Sequence, residues 1–347
     1  MPIVTFDFMD VGQGDSTFIQ FCNGNNLHDA VLTPTNAMLV DIGSSMNGYI
    51  AGPDTVTYIQ NQLNRMPNPV LDLVVYTHSD ADHHNLTQRL LGIPNLTINE
   101  AVYGGKKSGY TYFTGTGIHR QQLNTIQLLR NAGIPCHKEP SDCTSLWNMA
   151  SPPWRTLGNL NIWIVVGNFP SSNHHNPNDK SIVLLFEYAG CRVILPGDAT
   201  AVTLNAFNNW ITGQGLQAKV LGLTGLRVPH HGSERTTING VGAHRWDITD
   251  QFINLTQSSS IYIGHDLNDL FRHPRETVIQ RHRGHVANNW YAMHRYVSWG
   301  ESWRHTDEWI HTDTTNNVFT SMITAYQGAQ YQLRIDHTGA TDVYRSP

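Results

Sequence analysis

The sequence predicts an α/β protein, and three observations carry the prediction. Residues 71–76, Leu-Asp-Leu-Val-Val-Tyr, form a short apolar run rich in branched side chains, which reads as a buried parallel strand. Elsewhere apolar residues recur near helical spacing, as at Val56, Ile59, Leu63 and Met66. Finally, several predicted strands end in Asp or His, at the carboxyl end where open α/β sheets place their ligands.

Taken in order, residues 3–9 alternate apolar and polar and predict a strand. A glycine-punctuated turn, Asp10-Val11-Gly12-Gln13-Gly14-Asp15-Ser16, leads to a second strand over 17–21. A third, over 37–43, ends in Asp41-Ile42-Gly43. The spacing over 54–66 predicts a helix, and the strand at 71–76 follows, with another helix beginning at 86–91. Residues 105–160 are the least regular part: a turn at 106–110, an amphipathic helix over 120–132, then breaks at Pro140, Pro152 and Pro153. This span reads as an insertion or lid, or equally as a plain helix-and-loop connection. Strands are expected at 162–166, 181–188 and 191–195, the last ending in Pro196-Gly197-Asp198-Ala199, with helical spacing over 200–211. Short strands at 226–228 and 261–263 end in Pro229-His230-His231-Gly232-Ser233 and Gly264-His265-Asp266, and a helix is expected over 275–283.

The stretch that organises the chain is 77–85, Thr-His-Ser-Asp-Ala-Asp-His-His-Asn, placed directly after the buried strand. Asp and His at this density point to a metal site with nitrogen and oxygen ligands. An isolated acid after a strand often just caps a helix, but here Asp41, His78 to His83, Asp198 and His230–His231 all stand at strand ends. Such repetition implies convergence on one site.

Composition bounds the rest. A length of 347 residues allows one large domain or two modest ones. The formal charge of −5 argues against tight tracking along duplex DNA, without excluding a local basic groove. There are 19 histidines, more than structural roles usually demand. Cys22, Cys136, Cys143 and Cys191 show no C-x-x-C spacing; Cys136 and Cys143 could pair in an exported chain, and reduced thiols in a cytoplasmic one are the favoured expectation. No basic-then-apolar leader opens the chain, and no apolar run approaches the ~20 residues that span a bilayer. A soluble, cytoplasmic protein without a membrane partner is expected.

The motifs resemble those of metallo-β-lactamase-fold hydrolases, and within them the hydrolase domain of ComEC-type competence proteins and its stand-alone relatives. Four motifs carry the resemblance: Asp10-Val11-Gly12-Gln13-Gly14-Asp15, His78-x-Asp80-x-Asp82-His83, Gly197-Asp198-Ala199 and Pro229-His230-His231-Gly232-Ser233. His273-Pro274 fits the branch's closing motif. The resemblance implies a four-layer αβ/βα sandwich over residues 1–285, with 286–347 as an aromatic-rich C-terminal extension packed on the same domain. It also implies two divalent ions, zinc or manganese, with magnesium a further candidate. His78 and Asp80 would bind the first ion, Asp82 and His83 the second with His273 as a further ligand, and Asp198 would bridge them. Asp41 would support the metal loop, and His230 and His231 would contact substrate or metal. Ser233 falls within the substrate-binding motif.

The sequence departs from the general family in three ways. Asp80 stands where His is usual, a harder ligand that shifts preference toward Mn²⁺ or Mg²⁺. His84-Asn85-Leu86 replaces the usual glycine pair. The third-ligand motif is not recognisable; His175, Asn178 or Asp179 falls in its place.

The implied chemistry is hydrolysis of a phosphodiester by a water activated between two metal ions, most plausibly in a nuclease, with Asp82, His230 and His231 in catalytic roles. Residues 281–304 add Arg281, Arg283, Arg295 and Arg304 interleaved with Trp290, Tyr291, Tyr296, Trp299 and Trp303. This mixture suits a single-stranded nucleic-acid groove and equally an aromatic extension packed on the sandwich. The alternative enzyme reading is a hydrolase of small phosphoesters, nucleotides or phosphorylcholine-type esters. Lactam or lactone hydrolysis fits less well because Asp80 breaks the usual ligand triplet. A catalytically dead binding protein would need lost ligands, and His78, Asp80, Asp82, His83 and Asp198 are all present.

Overall fold

The computed structural model describes residues 1–9, 11, 14–44, 51–115, 120–140, 152–169, 176–239, 242–264, 273–283, 289–292, 296–299, 302–305 and 330–346. The strands, in chain order, begin with β1 (Pro2–Phe8), β2 (Ser16–Asn23), β3 (Thr33–Ile42), β4 (Val70–Leu71), β5 (Leu73–Tyr76), β6 (Thr97–Ile98) and β7 (Ala101–Tyr103). There follow β8 (Thr111–Thr114), β9 (Gln121–Asn124), β10 (Cys136–Lys138), β11 (Arg155–Leu157), β12 (Leu160–Val166), β13 (Val183–Tyr188) and β14 (Cys191–Leu195). The last are β15 (Gly225–Arg227), β16 (Ser260–Ile263), β17 (Asn289–Ala292), β18 (Tyr296–Trp299), β19 (Ser302–His305), β20 (Gln330–Asp336) and β21 (Thr341–Ser346). The helices are α1 (Ala51–Leu63), α2 (Thr87–Leu90), α3 (Thr125–Asn131), α4 (Ala201–Gly213), α5 (Gln217–Val220), α6 (Glu234–Thr237), α7 (Asp247–Thr256) and α8 (Glu276–Arg283).

Two mixed sheets face each other. The first runs β10-β7-β5-β3-β2-β1-β20-β21 and the second β11-β12-β13-β14-β15-β16-β17. The alternation of β1 turns Val4, Phe6 and Phe8 inward, where they meet Ile162, Leu184 and Phe186 of the second sheet. Phe8 stacks on Tyr262 and Phe6 meets Phe186 edge-on, so aromatic rings lock one sheet over the other. Helices cover both outer faces. Ile59, Leu63, Leu90, Ile126 and Leu129 pack on the first sheet; Leu204, Phe207, Phe252, Ile253, Val278 and Ile279 pack on the second. The order helix, sheet, sheet, helix is the expected four-layer αβ/βα sandwich. All four residues of β5 are buried because it faces the other sheet on one side and helices on the other.

The strands that carry the motifs sit together. β3, β5 and β7 are parallel, as are β14, β15 and β16. Their carboxyl ends therefore open at one edge of the sandwich.

One expected element differs. Residues 121–124 of the helix predicted over 120–132 form β9, which pairs antiparallel with β8, and only α3 is helical. Asn124 caps that helix by accepting from the Gln127 amide at 3.0 Å, which fixes the start of the helix one turn later than periodicity suggests. At the other end of the chain, β20 pairs with the free edge of β1 and β21 extends it. In the 281–304 stretch, Arg281 is described: its guanidinium lies over Trp246, 4.3 Å from the ring centroid, and binds Asp250. Arg295 and the cluster 265–272 lie outside the described residues. No helix among the described residues is long and apolar enough to cross a membrane.

Candidate metal centre

Asp41, the His78–His83 loop, Asp198 and the His230–His231 loop each arrive at the site at the end of a strand. Asp41 closes β3, fully buried and with a left-handed backbone (φ 57°) that Asp tolerates better than most residues. Its carboxylate accepts from the Thr77 amide at 2.7 Å, from the Thr77 hydroxyl at 2.7 Å, and faces His83 Nδ1 at 2.9 Å. Because Thr77 Oγ1 donates to Asp41, it can only accept from His78 Nδ1, 3.1 Å away. One carboxylate thus puts the Nδ1 protons of His78 and His83 in place and turns both Nε2 lone pairs toward the cavity, the arrangement that metal-binding histidines use.

Asp198 sits at the centre. Its Oδ1 lies 3.2 Å from His83 Nε2 and 3.3 Å from His231 Nε2. Its Oδ2 lies 3.4 Å from His230 Nε2 and 3.9 Å from His78 Nε2, which in turn is 3.6 Å from Asp80 Oδ2. The groups that could hold an ion, with donor atoms within 4.8 Å of one another, include His78–His83–Asp198 and Asp82–His83–His231. His273 is buried beside His230, ring centroids 5.7 Å apart.

The residues fit a metal. Nε2 of His78, His83 and His231 and Oδ1 of Asp198 are all buried, and none has a hydrogen-bond partner despite the short separations. Buried polar atoms are normally paired, and each exception asks for a reason. Imidazole lone pairs aimed at a carboxylate repel it unless a cation lies between them. The electrostatics are those of a site that exchanges a proton for an ion: burial lowers His83, but the Asp198 and Asp41 charges outweigh it and raise the imidazole well above its ordinary value. Burial, together with the Asp198 and Asp80 charges, pushes the Asp82 carboxyl up to about 6. Burial also holds His230 below its ordinary value and His231 well below it, which favours the unprotonated rings that bind a metal. Burial raises Asp198 too, but His230, His231 and His83 outweigh it and keep the carboxyl ionised.

The loops are built for close approach. A Cβ on Gly43 would fall 1.9 Å from the Asp82 carbonyl oxygen, and one on Gly14 would fall 2.7 Å from it. Only glycine at these positions lets β3 and the first turn cradle the metal loop. The Asp15 amide donates to that same Asp82 oxygen at 3.2 Å. The Asp15 carboxylate pairs with Arg227, whose guanidinium also donates to Gly14 O, Ser16 O and Thr17 Oγ1 at 3.3, 3.2 and 3.0 Å. Arg227 is only 2% exposed. It ends β15 and precedes His230–His231, so it ties the metal loop of one sheet to the histidine loop of the other. His230, His231 and Gly232 all have positive φ (49°, 52° and 78°), a costly run that the packing of Gly232 on Pro274 holds in place.

Other candidates sit differently. Asp179 is buried, and its Oδ1 accepts from Thr200 at 2.6 Å and Asn176 at 3.3 Å, which braces the loop that carries Asp198. Ser233 is buried at the start of α6, where its carbonyl accepts from Thr237. His84 has both nitrogens engaged, by Thr125 at 2.8 Å and Ser79 O at 3.3 Å, and burial pushes it down to about 3. In place of the usual glycine pair, Asn85 then clasps the Ser44 amide and carbonyl at 2.9 and 2.8 Å. Asp10, Gly12, Gln13 and His175 lie outside the described residues. Sequence reasoning missed Thr77 and Arg227. The signal for Arg227 was a lone charge inside an apolar strand.

No protein-family model matches the chain, and no curated protein matches it. Among solved structures it is similar to the metallo-β-lactamase fold protein YhfI from Bacillus subtilis, at 9% identity and TM-score 0.42, over 84% of this chain and 97% of that one. It is similar to CmlA, a diiron β-hydroxylase from Streptomyces venezuelae, at 11% identity and TM-score 0.37, over 79% of this chain and 45% of that one. MEM-A1, a subclass B3 metallo-β-lactamase from a soil metagenome library, is similar at 12% identity and TM-score 0.33, over 65% of this chain and 76% of that one. Layer order and strand topology, rather than these likenesses, carry the fold: this chain has the four-layer αβ/βα sandwich of the metallo-β-lactamase fold.

Proposed function

We propose that the protein is a metal-dependent phosphodiesterase of the ComEC-like branch that acts on nucleic acid. The observation that carries this reading is the set of four unpartnered donor atoms around Asp198. Its two carboxylate oxygens face different groups. Oδ2 faces His78, His230 and, beyond His78, Asp80; Oδ1 faces His83 and His231, with Asp82 in the same group. His83 stands in both groups, with His78 and Asp198 and with Asp82 and His231, so the donors form two overlapping sets that meet at His83 and Asp198. Divalent ions held there supply Lewis acidity toward an anionic oxygen and acidify water at neutral pH.

The chain's own residues do the rest. Asp41 and Thr77 hold the tautomers of His78 and His83. Asp198 would supply the negative charge that divalent cations held by these donors need. His231 belongs to the donor set, whereas the His230 side chain is 12% exposed and is the one placed to meet substrate. Its Nδ1 faces the Thr236 hydroxyl at 2.9 Å, which orients the ring for a hydrogen bond to a phosphate or a proton to the leaving oxygen. Two carboxylates, Asp80 and Asp82, in the donor sets favour manganese or magnesium over strict zinc.

The test is metal content by plasma mass spectrometry, with hydrolysis of bis(p-nitrophenyl) phosphate and labelled DNA in Mn²⁺, Mg²⁺ or Zn²⁺. Metal-dependent cleavage of both, lost in Asp82→Ala, is expected. Cleavage of the small diester without DNA would move the function to small phosphoesters. A chain that binds no metal and cleaves neither would overturn the proposal.

A further inference from the structure

Resting on that reading, we propose that the β8–β9 hairpin binds the substrate, and that the substrate is a single-stranded nucleic acid with a base stacked on Phe113. The segment 101–138 contains Lys106, Lys107, Arg120, Arg130 and Lys138 and no Asp or Glu, in a chain of formal charge −5. None of Lys106, Lys107 and Arg120 is held in an ion pair among the described residues. Cations without counter-charges are what a polyanion neutralises.

The fold places the root of the hairpin against the metal loop. A Cβ on Gly109 would fall 2.5 Å from Ser79 Oγ, and Ser79 lies between His78 and Asp80. Both roots of the hairpin are tied there. The Thr125 amide donates to Tyr110 O at 2.9 Å, and the Thr125 hydroxyl meets His84 Nδ1 at 2.8 Å. Tyr112 is buried with its ring 5.6 Å from that of His84. Strand alternation therefore turns Phe113 to the other side.

Phe113 is 48% exposed; among the described residues the other exposed large apolar side chains, Val31, Val202 and Leu221, are aliphatic. The Arg120 guanidinium lies 4.3 Å from its ring centroid. An exposed ring backed by a cation is a stacking platform for a base, with the guanidinium near the backbone phosphate. Gly109 ends a 3-10 turn over Lys107–Gly109, and Phe113 stands beyond it on the extended strand β8. A ligand that touches both the metal loop and this ring is a strand that runs along the hairpin. Bases in a duplex are stacked on each other and do not reach such a ring, which selects the single-stranded form.

The test is fluorescence anisotropy of the metal-loaded full chain with a phosphorothioate oligothymidylate, which resists cleavage, and with the corresponding duplex. The single strand should bind more tightly. Phe113→Ala should weaken it about tenfold, and Phe113→Trp should retain affinity. The double change Lys106→Gln with Arg120→Gln should lower the slope of log affinity against log salt by about 1.4. Equal binding of duplex and single strand, or unchanged binding by Phe113→Ala and by the double variant, would overturn the inference. Hydrolysis of bis(p-nitrophenyl) phosphate by the unmodified chain reads the phosphodiesterase proposal separately, because that ester has neither a base nor a chain of phosphates.

Discussion

At the scale of single residues, Asp41 does more than its position at a strand end suggests. Its two oxygens serve Thr77 and His83, and through Thr77 they reach His78. Asp41→Asn keeps the left-handed backbone that Asn also tolerates but turns an NH₂ toward groups that already donate. Metal affinity is expected to fall by about 10–100-fold with the fold intact. Competition with a chromogenic chelator measures this, and an unchanged affinity would mean that Asp41 does not set the tautomers. The donor residues were legible as types: His-x-Asp-x-Asp-His after a buried strand is local information. Which donor atom faces which was not, because His231 joins Asp82 and His83 across the two sheets.

At the scale of elements, the Asp15–Arg227 pair joins the opening of β2 to the end of β15. Arg227→Met would leave the Asp15 carboxylate, Gly14 O and Thr17 Oγ1 without this donor, while Ser16 O keeps the Met9 amide. Breaking such a pair costs ~3–5 kcal/mol, read as a lower denaturation midpoint. The double variant Asp15→Asn with Arg227→Met should recover part of the loss, the coupling that a double-mutant cycle reports; strictly additive losses would dismiss the coupling. Gly43→Ala forces a Cβ onto the Asp82 carbonyl. It should destabilise the chain by about 1–3 kcal/mol and weaken metal binding by displacing Asp82 and His83. Thermal melts with and without metal would show whether metal still stabilises the variant as it does the parent. The strand motifs and most helices were legible from periodicity. The misread was 121–124, where cross-strand pairing with β8 overrode an apparent helical pattern.

At the scale of the whole molecule, stability carries a pH dependence from far outside the metal centre. Asp7, on β1, is 1% exposed, and burial pushes its carboxyl up to about 7 despite hydrogen bonds from Gln332 and Tyr58. A raised carboxylate binds its proton more tightly in the folded chain than in the unfolded one. Stability should therefore fall as pH rises from about 4 to about 7, by on the order of 4 kcal/mol at most. Asp7→Asn should remove this slope and stabilise the chain at pH 8 relative to the parent. Urea denaturation at pH 5 and pH 8 compares them; identical slopes in both chains would show that Asp7 ionises freely.

The amino-acid sequence by itself determined the local facts: where strands run, which of them end in metal-ligand chemistry, and where glycine punctuates a turn. These follow from side-chain alternation and backbone sterics within a few residues. Only the tertiary structure decided that Asp198 turns its oxygens to separate groups, that Arg227 spans two sheets, and that β20 closes the edge beside β1. Those depend on sheet order and register, which are set by contacts between residues far apart in the chain, such as Phe8 with Tyr262 and Phe6 with Phe186. No window of neighbouring residues contains both partners.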